Sequence, residues 1–498
     1  MTMRRLSYLA LILTILTLSF SSGCARSAQD ELMDPYRPAM QPEAQAELDS
    51  LGHLPRYDIR VRIDPAAERQ LTGWERVWVP HLGPDELTEV YFRLYPNLLR
   101  YGGGMGIDGV LVNDETASFV YEANNTALKV TLPEPLLPNR SASVDLSFSL
   151  QVPRRDAGYV LCGQTESVLS LPLFYPVLAV REVRPGVPPR WNLDIAPPLH
   201  GDAAFTETGL YKVAAAVPSD MVVVGTGTVV STTSSSEGWS DVYFAGGPRR
   251  EFMLMLSSQF ESASTDACGA EVTSYFFPQD SATGQAALQY AAASLRVYCG
   301  RFGPYPYRDM AVVSAPLIYY GMEYPGLNLI GIDLYRELRD DLEFLVAHEV
   351  AHQWWYNIVG NDPLNFAWLD EGLAESSTYA YYQGRYGTST ADNHRELRWR
   401  IPYLYAVNQG LDAVVNQPLS EFGIADYETT VYAKAALFFD ALRLEVGDDT
   451  YYDLLQEYLD RYRWGVAVPA DFLSVAEEVS GQELGGLYGE WILSVTGP

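Results

Sequence analysis

The spacing of apolar residues changes near residue 260, and this change most restricts the folds open to the chain. Before it, short segments alternate apolar and polar residues, as over 57–63, which is the period of a half-buried strand. After it, long patterns of helical period dominate, such as 335–359. Strands gathered before helices predict the α+β class. We therefore expect a large antiparallel β domain over 55–260 and a mostly helical domain over 261–498.

The first 24 residues have the pattern of an export signal. Two arginines precede an apolar run of about fifteen residues, which is shorter than the roughly twenty that span a membrane. Gly23-Cys24 is similar to the end of a bacterial lipobox, so we expect Cys24 to carry a lipid anchor at the cell envelope, facing away from the cytoplasm. Simple secretion and an uncleaved anchor are the alternatives. Residues 25–54, rich in Gln, Glu, Asp and Pro, are expected to form a polar tether.

The formal net charge is −29, from 63 acidic and 34 basic residues. A surface of this sign repels phosphate backbones, which argues against a nucleic-acid partner. It attracts cationic ligands, including the free amino end of a peptide, although an acidic balance more commonly serves solubility. The composition gives no indication of oligomeric state.

Three cysteines follow Cys24, at positions 162, 268 and 299. None of them has the CxxC or Cys/His spacing of a metal site, which argues against a cysteine-ligated metal. An exported protein can form disulfides, and the odd number leaves at least one thiol free. The sequence leaves the pairing open.

The string His348-Glu349-Val-Ala-His352 carries the candidate chemistry. On a helix, residues four apart project from one face one turn apart, so both imidazoles can reach one tetrahedral Zn²⁺. Glu349 lies about 100° round the same helix. It is therefore placed less well as a third ligand than as a general base that takes a proton from the attacking water.

A bare match to this pattern is not specific, but its surroundings support a metal site. Apolar and aromatic residues flank the string, and two of the six histidines of the chain lie in it. Glu371, 19 positions after His352, begins a second predicted helix and completes a two-histidine, one-glutamate ligand set for one zinc ion per chain. Glu375, one turn further, is a candidate acceptor for the N–H of a ligand imidazole. The alternative for Glu375 is a solvated helix carboxylate.

These residues resemble the gluzincin metallopeptidases, and specifically the aminopeptidase N family, which includes the leukotriene-hydrolase enzymes. The spacing from the second histidine to Glu371 matches the family pattern. Residues 320–325 are similar to its Gly-Ala-Met-Glu-Asn exopeptidase motif, and residues 431–437 to the segment carrying its catalytic tyrosine. The resemblance covers roughly 55–498 and implies a β domain followed by a thermolysin-like, mostly helical catalytic domain.

The resemblance also implies roles for single residues. Glu323 corresponds to the glutamate that accepts the α-ammonium group of the substrate, which makes an enzyme an exopeptidase. Gly321 and Met322 belong to the same motif, in an expected edge strand over 320–329 on which an extended peptide can add as another strand. Tyr432 corresponds to the tyrosine that donates its phenolic hydrogen to the oxyanion.

The chain departs from the family at several positions. Tyr324 replaces the Asn of the exopeptidase motif and Asp370 replaces the Asn before the zinc-binding glutamate, and we expect both to tune function. Residues 171–178 have no counterpart of a Gln-x-Glu segment that gives relatives a second acidic contact to the amine. Amine recognition is therefore expected to rest on Glu323 alone. The family's C-terminal helical domain has no counterpart before Pro498, which predicts a more open cleft.

The function that these features favour is a zinc-dependent aminopeptidase acting on peptides with a free N-terminus. A zinc endopeptidase is the alternative if Glu323 does not capture the amine. A catalytically decayed, peptide-binding surface lipoprotein is a third hypothesis, although the general base Glu349 is present. The last alternative is another reaction of a zinc hydrolase, such as epoxide opening.

Overall fold

The structure is a computed structural model, which describes the following residues: 28–155, 158, 161–183, 186–197, 200–235 and 237–495. The predicted export signal and Cys24 lie outside them, so lipidation stays a prediction. In the described part of the chain, no helix has the length and apolar character needed to cross a membrane.

Strands make up most of the N-terminal domain. Their bounds are β1 (Arg56–Ile63), β2 (Leu71–His81), β3 (Leu87–Arg93), β4 (Gly104–Val112), β5 (Glu115–Thr116), β6 (Phe119–Glu122), β7 (Ala127–Leu136), β8 (Arg140–Gln151), β9 (Gly163–Gln164), β10 (Leu169–Pro172), β11 (Val177–Leu178), β12 (Arg181–Glu182), β13 (Arg190–Trp191), β14 (Gly209–Pro218), β15 (Val222–Gly225), β16 (Thr228–Ser234), β17 (Trp239–Arg249) and β18 (Met253–Ser257).

Within the described residues, these strands form one large sheet and several small ones. The large sheet has eight strands in the order β16-β17-β14-β1-β2-β8-β4-β5. Its pairs are antiparallel except β1 and β14, which run parallel. Two four-stranded sheets, β15-β18-β10-β9 and β11-β3-β7-β6, and the pair β12-β13 complete the domain. The predicted antiparallel β domain is thus confirmed, with one parallel pair.

Alternation of side chains along β1 shows why these segments form strands. Tyr57, Ile59, Val61 and Ile63 are buried, while the residues between them face outward to varying degrees. Successive strand residues point to opposite faces, so this period buries one apolar face. The buried side chains belong to a core shared by most strands of the domain.

The catalytic domain begins with a mixed sheet. Its strands are β19 (Glu261–Ala267), β20 (Ala270–Phe276), β21 (Asp309–Ala315), β22 (Gly321–Tyr324) and β23 (Leu327–Gly331). They are ordered β19-β20-β21-β23-β22, so β22 forms one edge. Strands β22 and β23 are an antiparallel hairpin, whereas the sequence predicted a single edge strand over this region.

Helices supply the rest of the catalytic domain, as predicted. The α-helices of the described chain are α1 (Ala28–Met33), α2 (Ser281–Phe302), α3 (Leu342–Ala351), α4 (Pro363–Phe366), α5 (Trp368–Tyr386), α6 (Thr388–Arg395), α7 (Ile401–Asn408), α8 (Ile424–Glu428), α9 (Ala435–Val446), α10 (Asp448–Tyr462), α11 (Pro469–Ser480) and α12 (Gly485–Trp491). Two π-helical segments, Glu396–Arg400 and Thr429–Lys434, precede α7 and α9.

Helix α3 is shorter than the pattern over 335–359 predicted. It ends at Ala351, and the chain then turns, with Tyr356 at a φ of 137°. Trp354, Trp355 and Ile358 remain buried in the turn. The apolar run therefore continues beyond the helix, which is why its spacing could not reveal where the helix ends.

Residues 28–54 pack on the catalytic domain, so the prediction of a polar tether over 25–54 is wrong for this part. They form α1 and two 3₁₀ segments, Arg37–Ala39 and Pro42–Ser50. Their buried side chains join the core that contains α2 and α3; they are Met33, Tyr36, Met40, Ala44, Leu48, Leu51 and Leu54. These residues recur every three or four positions, a helical spacing that the polar composition concealed.

A disulfide joins Cys268, in the turn between β19 and β20, to Cys299 in α2. Cys162 is a buried thiol in the N-terminal domain. The structure thereby assigns the pairing that the sequence left open.

Buried charges at the end of β17 link the two domains. Arg250 is almost fully buried, and its guanidinium donates to the carbonyl oxygens of Thr206, Tyr356 and Gly465. The neighbouring Glu251 accepts a hydrogen bond from the hydroxyl of Tyr356. A buried charge is tolerated when hydrogen bonds replace its hydration. These contacts fix the chain that follows α3 against the β domain.

Replacing Glu251 with Gln should change how stability depends on pH. Burial raises the pKa of Glu251 to about 7, from an ordinary value of 4.5. A carboxyl whose pKa is raised by folding stabilises the folded state below pH 4.5, and this contribution is lost as the pH rises through about 7. Between these limits, we expect the wild-type free energy of unfolding to fall by about 2–3 kcal/mol relative to Glu251→Gln. Urea unfolding of both proteins across this range measures the difference, and parallel curves would contradict it.

Candidate active site

Helices α3 and α5 bring three acceptor atoms together at the centre of the catalytic domain. The Nε2 atoms of His348 and His352 lie 3.2 Å apart. The Oε2 atom of Glu371 lies 3.3 Å from each of them. All three side chains are buried. His348 lies on α3, His352 caps the C-terminal end of this helix one turn later, and Glu371 lies in the first turn of α5.

This triangle fits a zinc ion. Tetrahedral ligands with bonds of about 2.0–2.1 Å are separated by about 3.3–3.4 Å. His352 Nδ1 donates to the carbonyl oxygen of Trp355 at 2.9 Å, and His348 Nδ1 lies 2.9 Å from Glu375 Oε2. Protons on both Nδ1 atoms leave the Nε2 lone pairs directed at the centre. Three acceptors that converge in a buried space are complementary to a cation.

The electrostatic interactions among His348, His352 and Glu371 also favour a bound cation. Burial disfavours charged imidazoles, but contact with Glu371 outweighs it and raises the pKa values of His348 and His352. Burial acts in the opposite direction on Glu371, yet the two histidines hold the pKa of its carboxyl well below the usual range. The Glu371 carboxylate therefore favours a positive charge between these groups, which a divalent ion can supply.

Glu375 and Trp399 support one of the imidazoles. Glu375 is buried on α5, and its Oε2 atom faces His348 while its Oε1 accepts a hydrogen bond of 2.7 Å from Trp399 Nε1. Of the two possibilities that the sequence left for Glu375, the structure places it beside the imidazole. Trp399, in the first π-helical segment, was missed because no motif or spacing connects it with α5.

Glu349 faces the same centre from α3. Its carboxylate is buried, and Oε2 has no hydrogen-bond partner among the described residues. Burial raises the pKa of Glu349 to about 7, against a lowering by the two histidines. A Cβ atom at Gly321 would lie only 2.0 Å from Glu349 Oε1. A glycine at this position thus lets the edge strand approach the carboxylate.

Glu323 lies on the edge strand β22, opposite Asn328 of β23. The hairpin turns at Gly326, whose φ is +70° and whose N–H donates to Gln353 Oε1 at 2.7 Å. Glu323 is buried, and its Oε1 has no partner among the described residues. Burial raises its pKa well above the usual range, and nearby carboxylates add to the effect. Carboxylate oxygens of Glu323 and Glu349 and a nitrogen of His352 lie within 4.8 Å of one another.

Tyr432 lies in the second π-helical segment, and its hydroxyl donates to Glu371 Oε1 at 2.5 Å. The nearby Lys434 is fully buried, and its ammonium donates to Asp412 Oδ1 and to the carbonyl oxygens of Ala413 and Ser494 at 2.8–2.9 Å. Lys434 thus anchors the segment that directs the phenol at the site.

The remaining predicted residues lie at the border of the site. Asp370 is buried at the start of α5, and its Oδ1 accepts a hydrogen bond of 2.9 Å from the backbone N–H of Glu371. Met322 is half-buried and packs against apolar residues of both domains. Sequence reasoning missed Asp202, which shares a hydrogen bond with Glu323. A single aspartate in a loop of the other domain carries no spacing signal.

Residues 286–491 match the family model described as the peptidase family M1 domain. The chain is 26% identical over 309 residues to aminopeptidase M1-B of Oryza sativa subsp. japonica, covering 56% of this chain and 34% of the relative. It is 32% identical over 230 residues to aminopeptidase RNPEPL1 of Homo sapiens, covering 42% of this chain and 30% of the relative. The chain thus spans about a third of the length of these curated relatives.

Solved structures extend the likeness over both domains. An M1 zinc metallopeptidase from Deinococcus radiodurans matches with a TM-score of 0.68 and 18% identity, covering 89% of this chain and 95% of that chain. A mutant of that protein bound to a Tyr-Ser-Ala substrate matches with a TM-score of 0.65 and 18% identity, over the same shares of the two chains. At this level of identity the likeness concerns the fold, and it agrees with the two-domain arrangement described above.

Two imidazoles and a carboxylate converging from adjacent helices, with a further glutamate beside them, define a site of the gluzincin metallopeptidase class. The family model, the curated relatives and the shared fold agree with that class. Residues 286–491 of the catalytic domain thus match the peptidase family M1 domain, in agreement with the aminopeptidase N family that the motifs predicted.

Replacing Glu375 with Gln should weaken zinc binding. A neutral amide is a weaker acceptor for His348 Nδ1–H than a carboxylate, and loss of such a supporting contact costs about 10- to 100-fold in metal affinity. Competition with a chromogenic chelator measures the zinc dissociation constant. Glu343→Gln is the matched control, because Glu343 lies on α3 but contacts Tyr381 and Tyr386, away from the ligands. Equal affinities of the two variants would contradict the assigned role.

Proposed function

We propose that the protein is a zinc-dependent aminopeptidase that removes N-terminal residues from peptides. The observation that carries the proposal is the 3.2–3.3 Å triangle of His348, His352 and Glu371, with Glu323 on an edge strand beside it. The triangle supports one bound zinc ion, and the edge strand supports an extended peptide substrate. The names of the curated relatives, which are aminopeptidases, support the same activity.

The chain's own residues divide the reaction between them. A bound zinc ion supplies Lewis acidity, which polarises the scissile carbonyl and lowers the pKa of water. Glu349 takes a proton from the attacking water and delivers it to the leaving amine. Its unpartnered oxygen and its place beside the edge strand support this role. Tyr432, whose hydroxyl reaches Glu371, donates a hydrogen bond to the oxyanion as it develops.

Glu323 determines where the peptide is cut. Its buried oxygen without a partner is suited to the α-ammonium group of a substrate, which brings charge and hydrogen-bond donors together. When the amine is held there, the first peptide bond lies near Glu349, because the two carboxylates are neighbours. Fixed orientation of this kind lowers the barrier of a reaction.

We also propose that the enzyme works outside the cytoplasm, anchored through lipidated Cys24. The signal-like N-terminus supports this proposal. The Cys268–Cys299 disulfide supports it independently, because disulfides persist in oxidising compartments.

Glu349→Gln should bind zinc normally and lose most turnover. The substitution keeps the shape of the side chain but removes its ability to accept a proton, which typically costs at least about 10²- to 10⁴-fold in rate. A panel of aminoacyl chromogenic substrates measures turnover, and metal analysis measures zinc content. Chelation should abolish the wild-type rate and added zinc should restore it. A variant with the wild-type rate would exclude Glu349 as the base.

An N-acetylated peptide should be cleaved far more slowly than the free peptide of the same sequence. Acetylation removes the positive charge that Glu323 is proposed to bind, and a charge-assisted hydrogen bond is worth about 1.5–3 kcal/mol, or roughly 10- to 150-fold in rate. Product analysis by mass spectrometry gives both the rate and the bond cleaved. Equal cleavage of both peptides, at internal bonds, would support the endopeptidase alternative instead.

A further inference from the structure

A loop of the N-terminal domain reaches the catalytic centre. Its segment 200–208 precedes β14, and Asp202 in it shares a hydrogen bond with Glu323. Asp202 also interacts electrostatically with Glu371 and His352 of the metal site. The carboxyl groups of two residues about 120 positions apart in sequence, one from each domain, therefore meet beside the zinc ligands.

Contacts from both domains hold this loop in place. The guanidinium of Arg100, in the N-terminal domain, donates to the carbonyl oxygens of His200 and Gly201. On the other side, His200 Nε2 lies 3.0 Å from the carbonyl oxygen of Leu419, in the catalytic domain. Gly201 has a φ of +68°, and a Cβ atom there would lie 2.5 Å from Leu419 Cδ1. The backbone next to Asp202 is thus fixed between Arg100 and Leu419.

The resulting pair of carboxyl groups leaves one buried oxygen without a hydrogen-bond partner. Glu323 is 5% exposed, and its Oε1 has no partner among the described residues. Asp202 is less buried than Glu323. Burial raises the pKa of Asp202 to about 6, and Glu371 adds to this while Arg100 opposes it. A buried carboxyl oxygen without a partner is stabilised by a cationic hydrogen-bond donor.

We propose that Asp202 is a substrate-binding residue that captures the α-ammonium group of the peptide together with Glu323. This inference rests on the proposed aminopeptidase function and names the second acidic contact that residues 171–178 do not provide. An ammonium group has three N–H donors, so two carboxylates can bind it at once and fix its direction as well as its position. Recognition of the amine then depends on both domains.

The test uses the inactive Glu349→Gln protein, loaded with zinc, so that affinity can be measured without turnover. Isothermal calorimetry gives the dissociation constants of a tripeptide and of its N-acetylated form. Adding Asp202→Asn should weaken binding of the free tripeptide by about 10- to 100-fold and leave binding of the acetylated form unchanged. Asp202→Glu should recover part of the preference, because it restores the charge.

Asp194→Asn is the matched control, since Asp194 is an exposed residue of the same connection and pairs with Arg190. It should leave both dissociation constants unchanged. If Asp202→Asn weakened both peptides equally, or kept the parent preference for the free amine, the inference would be overturned while the aminopeptidase function stood. If the Glu349→Gln protein itself bound the free and acetylated tripeptides equally, the proposed exopeptidase function would be contradicted, and with it the inference that rests on it. If Asp202→Asn does not fold, Asp202→Ser replaces it, and the same ratio of the dissociation constants of the acetylated and free tripeptides is measured.

Discussion

The convergence of three acceptor atoms in a buried space is the constraint on which the catalytic domain depends. The Nε2 atoms of His348 and His352 and the Oε2 atom of Glu371 form a triangle that favours a cation at its centre. Such a site keeps its geometry only if α3 and α5 cannot move apart. Apolar side chains of α3 and α5 pack in one core, which supplies that rigidity. In addition, the hydroxyl of Tyr298 on α2 donates to the carbonyl oxygen of Ala347 on α3 at 2.9 Å.

The acidic groups around the triangle are more numerous than a metal site alone needs. Besides Glu375, which faces His348, five acidic residues of the described chain lie in or beside it: Asp202, Glu323, Glu349, Asp370 and Glu371. Burial raises the pKa values of the four that are not ligands, so the free site can hold protons rather than several adjacent charges. A zinc ion and a substrate ammonium bring three positive charges into this space. The additional acidic residues are thus suited to a site that binds both a zinc ion and the ammonium group of the substrate.

Local spacing in the sequence predicted the parts of the site that lie on single helices. His348 and His352 could be placed because a helix fixes the relation of residues four apart, and Glu371 because it begins the next long helical pattern. Asp202 and Trp399 could not be placed, because tertiary packing alone brings them to Glu323 and Glu375. The end of α3 and the packed segment 28–54 were missed for a different reason: apolar spacing and bulk composition do not show where a chain turns or docks.

The proposed amine-binding pair is divided between two domains, which would give the domain interface a role in specificity. Glu323 is carried by a hairpin whose Pro325 carbonyl accepts a hydrogen bond of 2.8 Å from Arg249 of the N-terminal domain. Asp202 is held by Arg100 on its own domain and, through His200, against the catalytic domain. Because the two carboxyl groups lie on different domains, a shift of the interface would change their separation and loosen the proposed ammonium site. The three residues proposed to bind zinc all lie within one domain and would keep their geometry. We therefore expect selectivity for a free N-terminus to be more sensitive to interface substitutions than metal binding is.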